Sequence, residues 1–498
     1  MSEQVQTEGS LAGPSIDPVD IAIVGSGFAG IGAAVQLDKN GRRDFVILEK
    51  DSSVGGTWRD NTYPGCACDV QSHVYSVSFA PNPNWTRLFA RQPEIRAYLE
   101  DVADRYRLRD RIRFGAMVTG AEWDGSRWMV RLADGSAIRA RVVIWGTGPL
   151  HEPSIPEVEG LDRFAGRVFH SARWDHEHDL AGRRVAVIGT GASAVQFVPR
   201  IAKQVTSLTL FQRTPAWVLP KPDRAIGPVR RRVYAAFPAA QKAQRALIYA
   251  RNEALVAGFL KPSRMTVVEK FARSYLDRTF ANRPELKAKL TANFTVGCKR
   301  ILLSSDYYPA LKQPHVRVEA GRIVRITESA VVTADSVEHE VDTIIFGTGF
   351  KIADTLRQTV VTGRDGVKLA DQWREGVEAF LGTTIAGFPN FFVLAGPNTG
   401  LGHSSMVYMI ESQLAYVLDA LRLVDESGAT AIDTRRDRQE AYNAEVQRKL
   451  EGSVWTSGGC ASWYLDEHGR NRTLWPGYTF AFRRRTRRVD PADHELVG

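Results

Sequence analysis

Cysteine is scarce in this sequence: among 498 residues there are four, Cys66, Cys68, Cys298 and Cys460. So few, so irregularly spaced, exclude a disulfide framework and a paired metal knuckle, and the chain reads as reduced, cytoplasmic and free of metal sites. Long hydrophobic runs are also missing. No stretch reaches the ~18 continuous apolar residues of a membrane span. The most apolar segment, 382–402, is interrupted by Pro389, Asn390, Pro397, Asn398 and several glycines. Residues 1–18 carry early acidic residues and no apolar centre, which excludes a secretory signal and predicts a mobile tail. Lys and Arg outnumber Asp and Glu, 65 to 56, for a net charge of +9. That balance favours anionic small molecules. It does not amount to a nucleic-acid site, because no basic tract is interleaved with aromatics, and the run Arg483–Arg488 is most simply a solvated basic end.

What is present is an ordinary globular composition, 44% hydrophobic and 24% charged, in a chain long enough for several domains. The 42 glycines fall at specific places. In IAIVGSGFAGIGAAVQLDKNGRRDFVILEK, an apolar strand runs into Gly25, Gly27 and Gly30 at G-x-G-x-x-G spacing. A helix with small residues follows, and then a second strand ending at Glu49. The unit recurs in RRVAVIGTGASAVQFVPRIAKQVTSLTLFQRT, with Gly189, Gly191 and Ala194 as G-x-G-x-x-A and Arg213 in the register that Glu49 holds in the first unit. Between them the sequence predicts a helix from Gln92 to Tyr106 and a meander of short strands ending in VVIWGTG. A second apolar strand, VDTIIFGTGF, closes in the same G-T-G, and a helix is expected from about Ser405 to Val424. The expected fold is α/β: two nested Rossmann-like dinucleotide-binding domains with a helical insertion in the second. The predicted organisation is a tail at 1–18, an FAD-binding domain at 19–150, an NADP-binding domain at 151–379 with helices near 224–294, and the rest of the FAD-binding domain at 380–498.

A pyrophosphate needs backbone N–H donors at close range, which glycine turns at helix N-termini provide. Glu49 suits the ribose hydroxyls of FAD. Arg213 suits the 2′-phosphate of NADP(H), which a carboxylate in that position would repel. Two dinucleotides imply electron flow from nicotinamide to flavin. A disulfide reductase would need a reactive pair beside the flavin, and Cys66 and Cys68, separated by one residue, do not supply it. A flavin monooxygenase acting on sulfur or nitrogen and a non-catalytic flavin redox sensor stay open on these motifs.

The segment FAGRVFHSARWD, Phe164 to Asp175, fits F-x-G-x-x-x-H-x-x-x-W-D and lies between the two glycine motifs. With it the chain, from Val19 to about Arg488, resembles the type I Baeyer–Villiger monooxygenases. The resemblance implies FAD, NADPH, O2 and a lipophilic ketone converted to an ester or lactone. In VGGTWRDNTYPGCACDV it implies that Gly55, Gly56, Thr57 and Trp58 face the flavin, with Asp69 beside it and Tyr75 as a further cofactor contact. In VGCKRILLSSDYYPAL it places Lys299 at the NADP phosphate and makes Arg300 the catalytic cation that stabilises a flavin peroxide, held in orientation by Asp69. Thr190, Ser193 and Thr214 match nucleotide contacts, Met406 a flavin contact, Val118 a backbone cap on adenine, and Trp463 of SWY a mobile loop reaching the nicotinamide ribose. His170 and Trp174 are expected in an interdomain linker, positioning it without acid–base work. The sequence departs from the family in reading G-T-G where ATG is usual and LDEHGRNRTLWPG after SWY.

Overall fold

Ile21, Ala22 and Ile23 are fully buried at the centre of β1 (Ser15–Val24), and the glycine turn after them drops the chain onto α1 (Phe28–Lys39). The computed structural model describes residues 15–351, 356 and 359–498. The expected tail is therefore corrected at its end: Ser15 and Ile16 already pair with Ala137 and Ile138, while residues 1–14 lie outside the described residues.

Strand β2 (Phe45–Leu48) pairs parallel with β1, and the short helix α2 (Thr57–Asp60) and α3 (Gln92–Arg105) follow. Strands β3 (Ile112–Arg113), β4 (Val118–Trp123), β5 (Trp128–Leu132) and β6 (Ala137–Trp145) complete the first pass. The larger sheet has eight strands in the order Val360–Thr362, β4, β5, β6, β1, β2, β3, with Phe391–Val393 also pairing with β6. The two halves of β6 have different neighbours. Ala137–Ala140 pairs antiparallel with β5, and Val143–Trp145 pairs parallel with Phe391–Val393. Helix α1 is covered by the long helix Met406–Ser427, close enough that a Cβ at Gly32 would lie 3.3 Å from Leu414 Cδ1.

The second sheet is all parallel, in the order Val316–Glu319, β9 (Ser207–Phe211), β8 (Arg184–Ile188), Thr343–Phe346, β7 (Arg167–His170). Helix α4 (Ala194–Ile201) follows β8, and the expected helical insertion contains α5 (Pro228–Ala236), α6 (Pro238–Ala254) and Thr266–Thr279. The fold is thus two nested parallel-sheet nucleotide folds. Three details differ from the sequence reading. The fingerprint is no linker: Arg167–His170 is an edge strand, pairing parallel with Thr343–Phe346. The chain has rejoined the larger sheet by Val360–Thr362, ahead of residue 380. Cys298 and Cys460, 162 positions apart, form a disulfide, so the expectation of a fully reduced chain fails for this pair. Cys66 and Cys68 are free and buried, and burial pushes the Cys66 thiol up to about 12. Among the described residues, no helix is long and apolar enough to cross a membrane.

Candidate functional site

Two backbone cradles stand at the ends of the parallel strands, each built the same way. Gly25 has φ +94°, and a Cβ there would lie 3.0 Å from the Gly146 carbonyl oxygen. Gly189 has φ +110°, and its Cβ would lie 2.5 Å from the Gly347 carbonyl oxygen. Each G-T-G return therefore packs on the first glycine of its own phosphate loop, which is why the two tripeptides recur. In the first cradle Gly27 caps α1, and Gly56, with φ +51°, would place a Cβ 3.2 Å from Gly27 Cα. The loops at Gly27 and at Gly55–Thr57 thus lie backbone against backbone, leaving a side-chain-free groove at the N-terminus of a 12-residue helix, which fits a dinucleotide pyrophosphate.

Glu49 follows β2 and is 3% exposed. Its Oε2 accepts from the Ser26 N–H at 2.8 Å and the Ser26 hydroxyl at 2.6 Å, and Arg59 Nη1 donates to Oε1 at 3.0 Å. Arg59 also pairs with Asp51 and Asp60, so the acid expected at the ribose also locks the turn that makes the cradle. The Ala116 N–H donates to the Glu49 carbonyl at 2.8 Å, which brings the segment entering Val118 to the same end. On the other side Trp58 Nε1 donates to the Tyr75 hydroxyl at 3.0 Å, and Tyr75 meets Phe28 edge to face at 5.2 Å. Met406 begins the long helix, capped by Ser405. The neighbouring Ser404 hydroxyl is buried with no partner among the described residues, a polar atom available to a bound cofactor.

In the second cradle Ser193 caps α4, Ala194 is fully buried, and a Cβ at Gly191 would lie 3.7 Å from the Gly347 carbonyl oxygen. The Thr190 hydroxyl donates to the Thr214 carbonyl at 3.2 Å, joining the loop to the segment that carries Arg213. Arg213 is exposed. Its charge acts on Lys299, whose ammonium is held below its ordinary range by burial first and by Arg213 second. Two cations brought this close with no ion pair to either among the described residues fit a dianionic phosphate.

Arg300 and Asp69 form a two-pronged pair that joins segments of the two nucleotide folds. Nε donates to Oδ2 at 2.7 Å and Nη2 to Oδ1 at 2.6 Å, with the guanidinium side chain 40% exposed. The Asp69 carboxylate is the main cause that raises the Arg300 pKa above its already high ordinary value. Beside the pair lies Tyr464, 2% exposed, its phenol pushed up to about 12 by burial against the opposing charge of Arg300. Trp463 is 52% exposed and packs on Tyr464, with ring centroids 4.4 Å apart. The sequence reading missed Gln196 on α4. Its amide donates to the Ala67 carbonyl at 3.0 Å and accepts from the Ala67 N–H at 3.1 Å, tying the Asp69 loop to the second sheet. Lys221, also missed, donates to the Cys68 carbonyl at 2.9 Å. Neither residue has a local signal, since a lone Gln on a helix and a Lys in a Pro-rich loop are commonplace. Tyr464 could have been found, because it adjoins Trp463 in SWY.

The fingerprint histidine is structural. His170 Nδ1 accepts from the Ala172 N–H at 3.1 Å, and burial followed by the charge of Arg173 pushes its pKa down to about 4. Trp174 wedges between Phe169 and Phe197, at 5.2 and 5.3 Å. A histidine of about 6.5 when unfolded and about 4 when folded binds its proton more readily in the unfolded chain. Its neutral burial thus contributes fully above pH ~6.5 and is lost progressively as the pH falls toward 4, by up to about 3 kcal/mol. His73 and His494, also pushed down to about 4, act in the same direction. The thermal midpoint is expected to drop across this window, and His170→Gln should flatten part of the slope; parallel profiles for the two proteins would rule out a neutral buried His170.

The basic run at the C-terminal end is not simply solvated. Arg483 lies over the Tyr408 ring at 4.3 Å, and Arg485 pairs with Glu445 at 3.1 Å.

Residues 22–242 match the family model described as pyridine nucleotide-disulphide oxidoreductase. The chain is 52% identical over 483 residues to a Baeyer-Villiger monooxygenase of Streptomyces coelicolor, covering 96% of this chain and 93% of that one. An oxidized steroid monooxygenase bound to NADP superposes with a TM-score of 0.86 at 31% identity, covering 97% of this chain and all of the other. A complex of OTEMO with FAD and NADP superposes with a TM-score of 0.85 at 26% identity, covering 96% and 99%.

Proposed function

Because this chain belongs to the Baeyer–Villiger monooxygenases and is an FAD- and NADPH-dependent enzyme, we propose that it inserts one oxygen atom of O2 beside the carbonyl of a lipophilic ketone, giving an ester or lactone, with Arg300 as its catalytic cation. The observation that carries this reading is the two-pronged Arg300–Asp69 pair, which joins a segment of each nucleotide fold. FAD, when bound, carries two electrons from NADPH to O2. Gly25, Gly27, Gly30 and Gly56 hold its pyrophosphate, Glu49 its ribose, and Trp58, Tyr75 and Met406 border its ring, with the Val118 backbone at the adenine. Gly189, Thr190, Gly191, Ser193, Ala194 and Thr214 hold NADP(H), and Arg213 and Lys299 take its 2′-phosphate. Trp463, exposed beside Tyr464, would contact the nicotinamide side of NADP(H).

Attack on a carbonyl needs an oxygen anion, and the adduct carries its charge onto the former carbonyl oxygen. A guanidinium already fixed in place stabilises both without reorganising. Asp69 positions that guanidinium and keeps it charged. Reduced nicotinamide as the fuel agrees with a cytoplasmic enzyme. The test is a panel of linear, cyclic and aryl ketones beside an aryl sulfide, each followed for NADPH consumed and product formed. One ester or lactone per NADPH with at least one ketone is expected. Sulfoxide alone, or ketone-independent NADPH loss, would overturn the proposal.

Arg213→Ala is expected to erode the preference for NADPH over NADH. Losing a charge-assisted phosphate contact costs about 1.5 to 3 kcal/mol, or tenfold and more in affinity. Steady-state kinetics with both nucleotides check this, and an unchanged ratio of kcat/KM values would remove Arg213 from the site.

A further inference from the structure

We propose that Cys298 and Cys460 are a redox-modification site, opened by dithiols and closed by peroxide, which staples the Arg300 segment to the Trp463–Tyr464 loop and so sets how much of the NADPH consumed ends in ester. The activity part of this inference rests on the function proposed above; the thiol chemistry does not.

Three ties join the segment 295–300, which follows the helical insertion, to parts of the larger nucleotide fold. The Thr295 N–H donates to the Gly458 carbonyl at 2.9 Å, Cys298 is bonded to Cys460, and Arg300 is paired with Asp69. The loop backbone also presses directly on the cysteine: a Cβ at Gly458 would lie 2.7 Å from Cys298 Cβ and 2.9 Å from its sulfur. Cys298 stands two residues before Arg300, and Cys460 three before Trp463. The disulfide is therefore the one covalent tie among the three, and it sits between the catalytic cation and the loop whose Tyr464 packs beside that cation. Hydride transfer needs both cofactors bound. Oxygen insertion also needs Arg300 held in one place, so loosening this segment should cost the second half of the reaction more than the first.

The two cysteines differ in exposure. Cys298 is 1% exposed and Cys460 is partly buried, so an incoming thiolate reaches Cys460. It attacks Cys460 Sγ; the S–S bond breaks, and its electron pair leaves on Cys298 sulfur, which takes a proton. The second thiol of the reductant then attacks the mixed disulfide and releases Cys460 as a thiol, leaving the reductant oxidised by two electrons. In the reverse direction hydrogen peroxide, released whenever turnover fails to insert oxygen, oxidises the Cys460 thiol to a sulfenic acid with loss of water. The Cys298 thiol displaces a second water as the S–S bond forms. Two thiols and one peroxide give one disulfide and two waters. In a compartment whose thiol pool is reducing, an isolated bridge of this kind acts as a sensor more readily than as a framework.

The experiment uses the full-length, FAD-loaded enzyme, as purified under air and after incubation with dithiothreitol, with thiols alkylated under denaturing conditions and located by peptide mass spectrometry. Alkylation is expected at Cys66 and Cys68 alone before reduction, and at Cys298 and Cys460 as well after it. Hydrogen exchange should accelerate in 295–300 and 453–465. Ester formed per NADPH consumed should fall severalfold, with hydrogen peroxide making up the difference, and one equivalent of peroxide should restore it. Cys460→Ser should behave as the reduced enzyme whether or not dithiothreitol is present. Alkylation at all four cysteines in the unreduced enzyme would overturn the proposal, as would verified reduction that changes neither exchange nor coupling. An enzyme that makes no ester from any ketone would refute the proposed function, while the thiol map and the exchange rates would still decide whether the staple exists.

Discussion

Arg300→Ala is expected to bind FAD and NADPH, to oxidise NADPH, to release hydrogen peroxide and to make almost no ester. The guanidinium is held by Asp69 through two hydrogen bonds, and neither phosphate cradle depends on it. Removing one preorganised electrostatic donor typically costs about a hundredfold to a thousandfold in the step it serves. Arg300→Lys keeps a charge but not the planar fork that matches the Asp69 carboxylate, so it should recover only part of the lost rate. Asp69→Ala should be milder than Arg300→Ala, because the cation persists without its orientation. The measurements are ester formed, peroxide formed and NADPH consumed in the same reaction. Ester formation by Arg300→Ala at a near wild-type rate per NADPH would remove the arginine from the chemistry.

Gly30→Ala is expected to lose FAD altogether. A methyl group there would lie 1.8 Å from the Gly25 carbonyl oxygen and 2.9 Å from its carbon, so the first turn of α1 would have to leave the loop it caps. Overpacking of well-packed sites costs about 1 to 3 kcal/mol, and a methyl driven into a backbone carbonyl, which cannot swing away as a side chain can, belongs at the top of that range. The neighbouring Gly32→Ala is the control. Its methyl would meet only Leu414 Cδ1 at 3.3 Å, the far end of a flexible side chain, and alanine favours the helix. Flavin absorbance of the purified proteins and their thermal midpoints make the comparison. Equal flavin content in the two variants would mean that α1 does not pack on Gly25 as described.

The phosphate cradles were legible in the sequence because their logic is local: a strand, a glycine needing positive φ, and a helix start within a few residues. Arg213 was legible as a cation after its strand but misplaced in register: Leu48 pairs opposite Val24 and Phe211 opposite Ile188, so Gln212 stands where Glu49 does and Arg213 lies one residue beyond. The recurrence of G-T-G was visible, but its cause was not, since Gly146 and Gly347 meet Gly25 and Gly189 only after two strands have paired. The fingerprint was recognised but assigned to a linker. A run of four residues such as RVFH has no periodicity strong enough to declare an edge strand, and its pairing with Thr343–Phe346 is long-range. Gln196 and the Cys298–Cys460 bridge were invisible because each joins segments more than a hundred residues apart with no spacing rule between them. Glu49 was placed correctly at the end of β2, but its pairing with Arg59 could not be read, because an arginine ten positions on has many acids to choose from.

The pairing of Phe391–Val393 with β6 has a consequence for synthesis on the ribosome. All five strands of the second sheet lie between Arg167 and Phe346, so that half can close while nearly a third of the chain is still unmade. The larger sheet, begun first, cannot. Until residue 391 emerges, the inner half of β6 presents unpaired backbone. Until Leu414 follows, the Gly32 face of α1 has nothing to lie against. The usual order, in which the N-terminal part of a chain matures first, is inverted here: the flavin half waits as an open edge for its own last third. A transcript cut short before that point yields no half-enzyme, only a sticky intermediate seeking any strand that will pair with it.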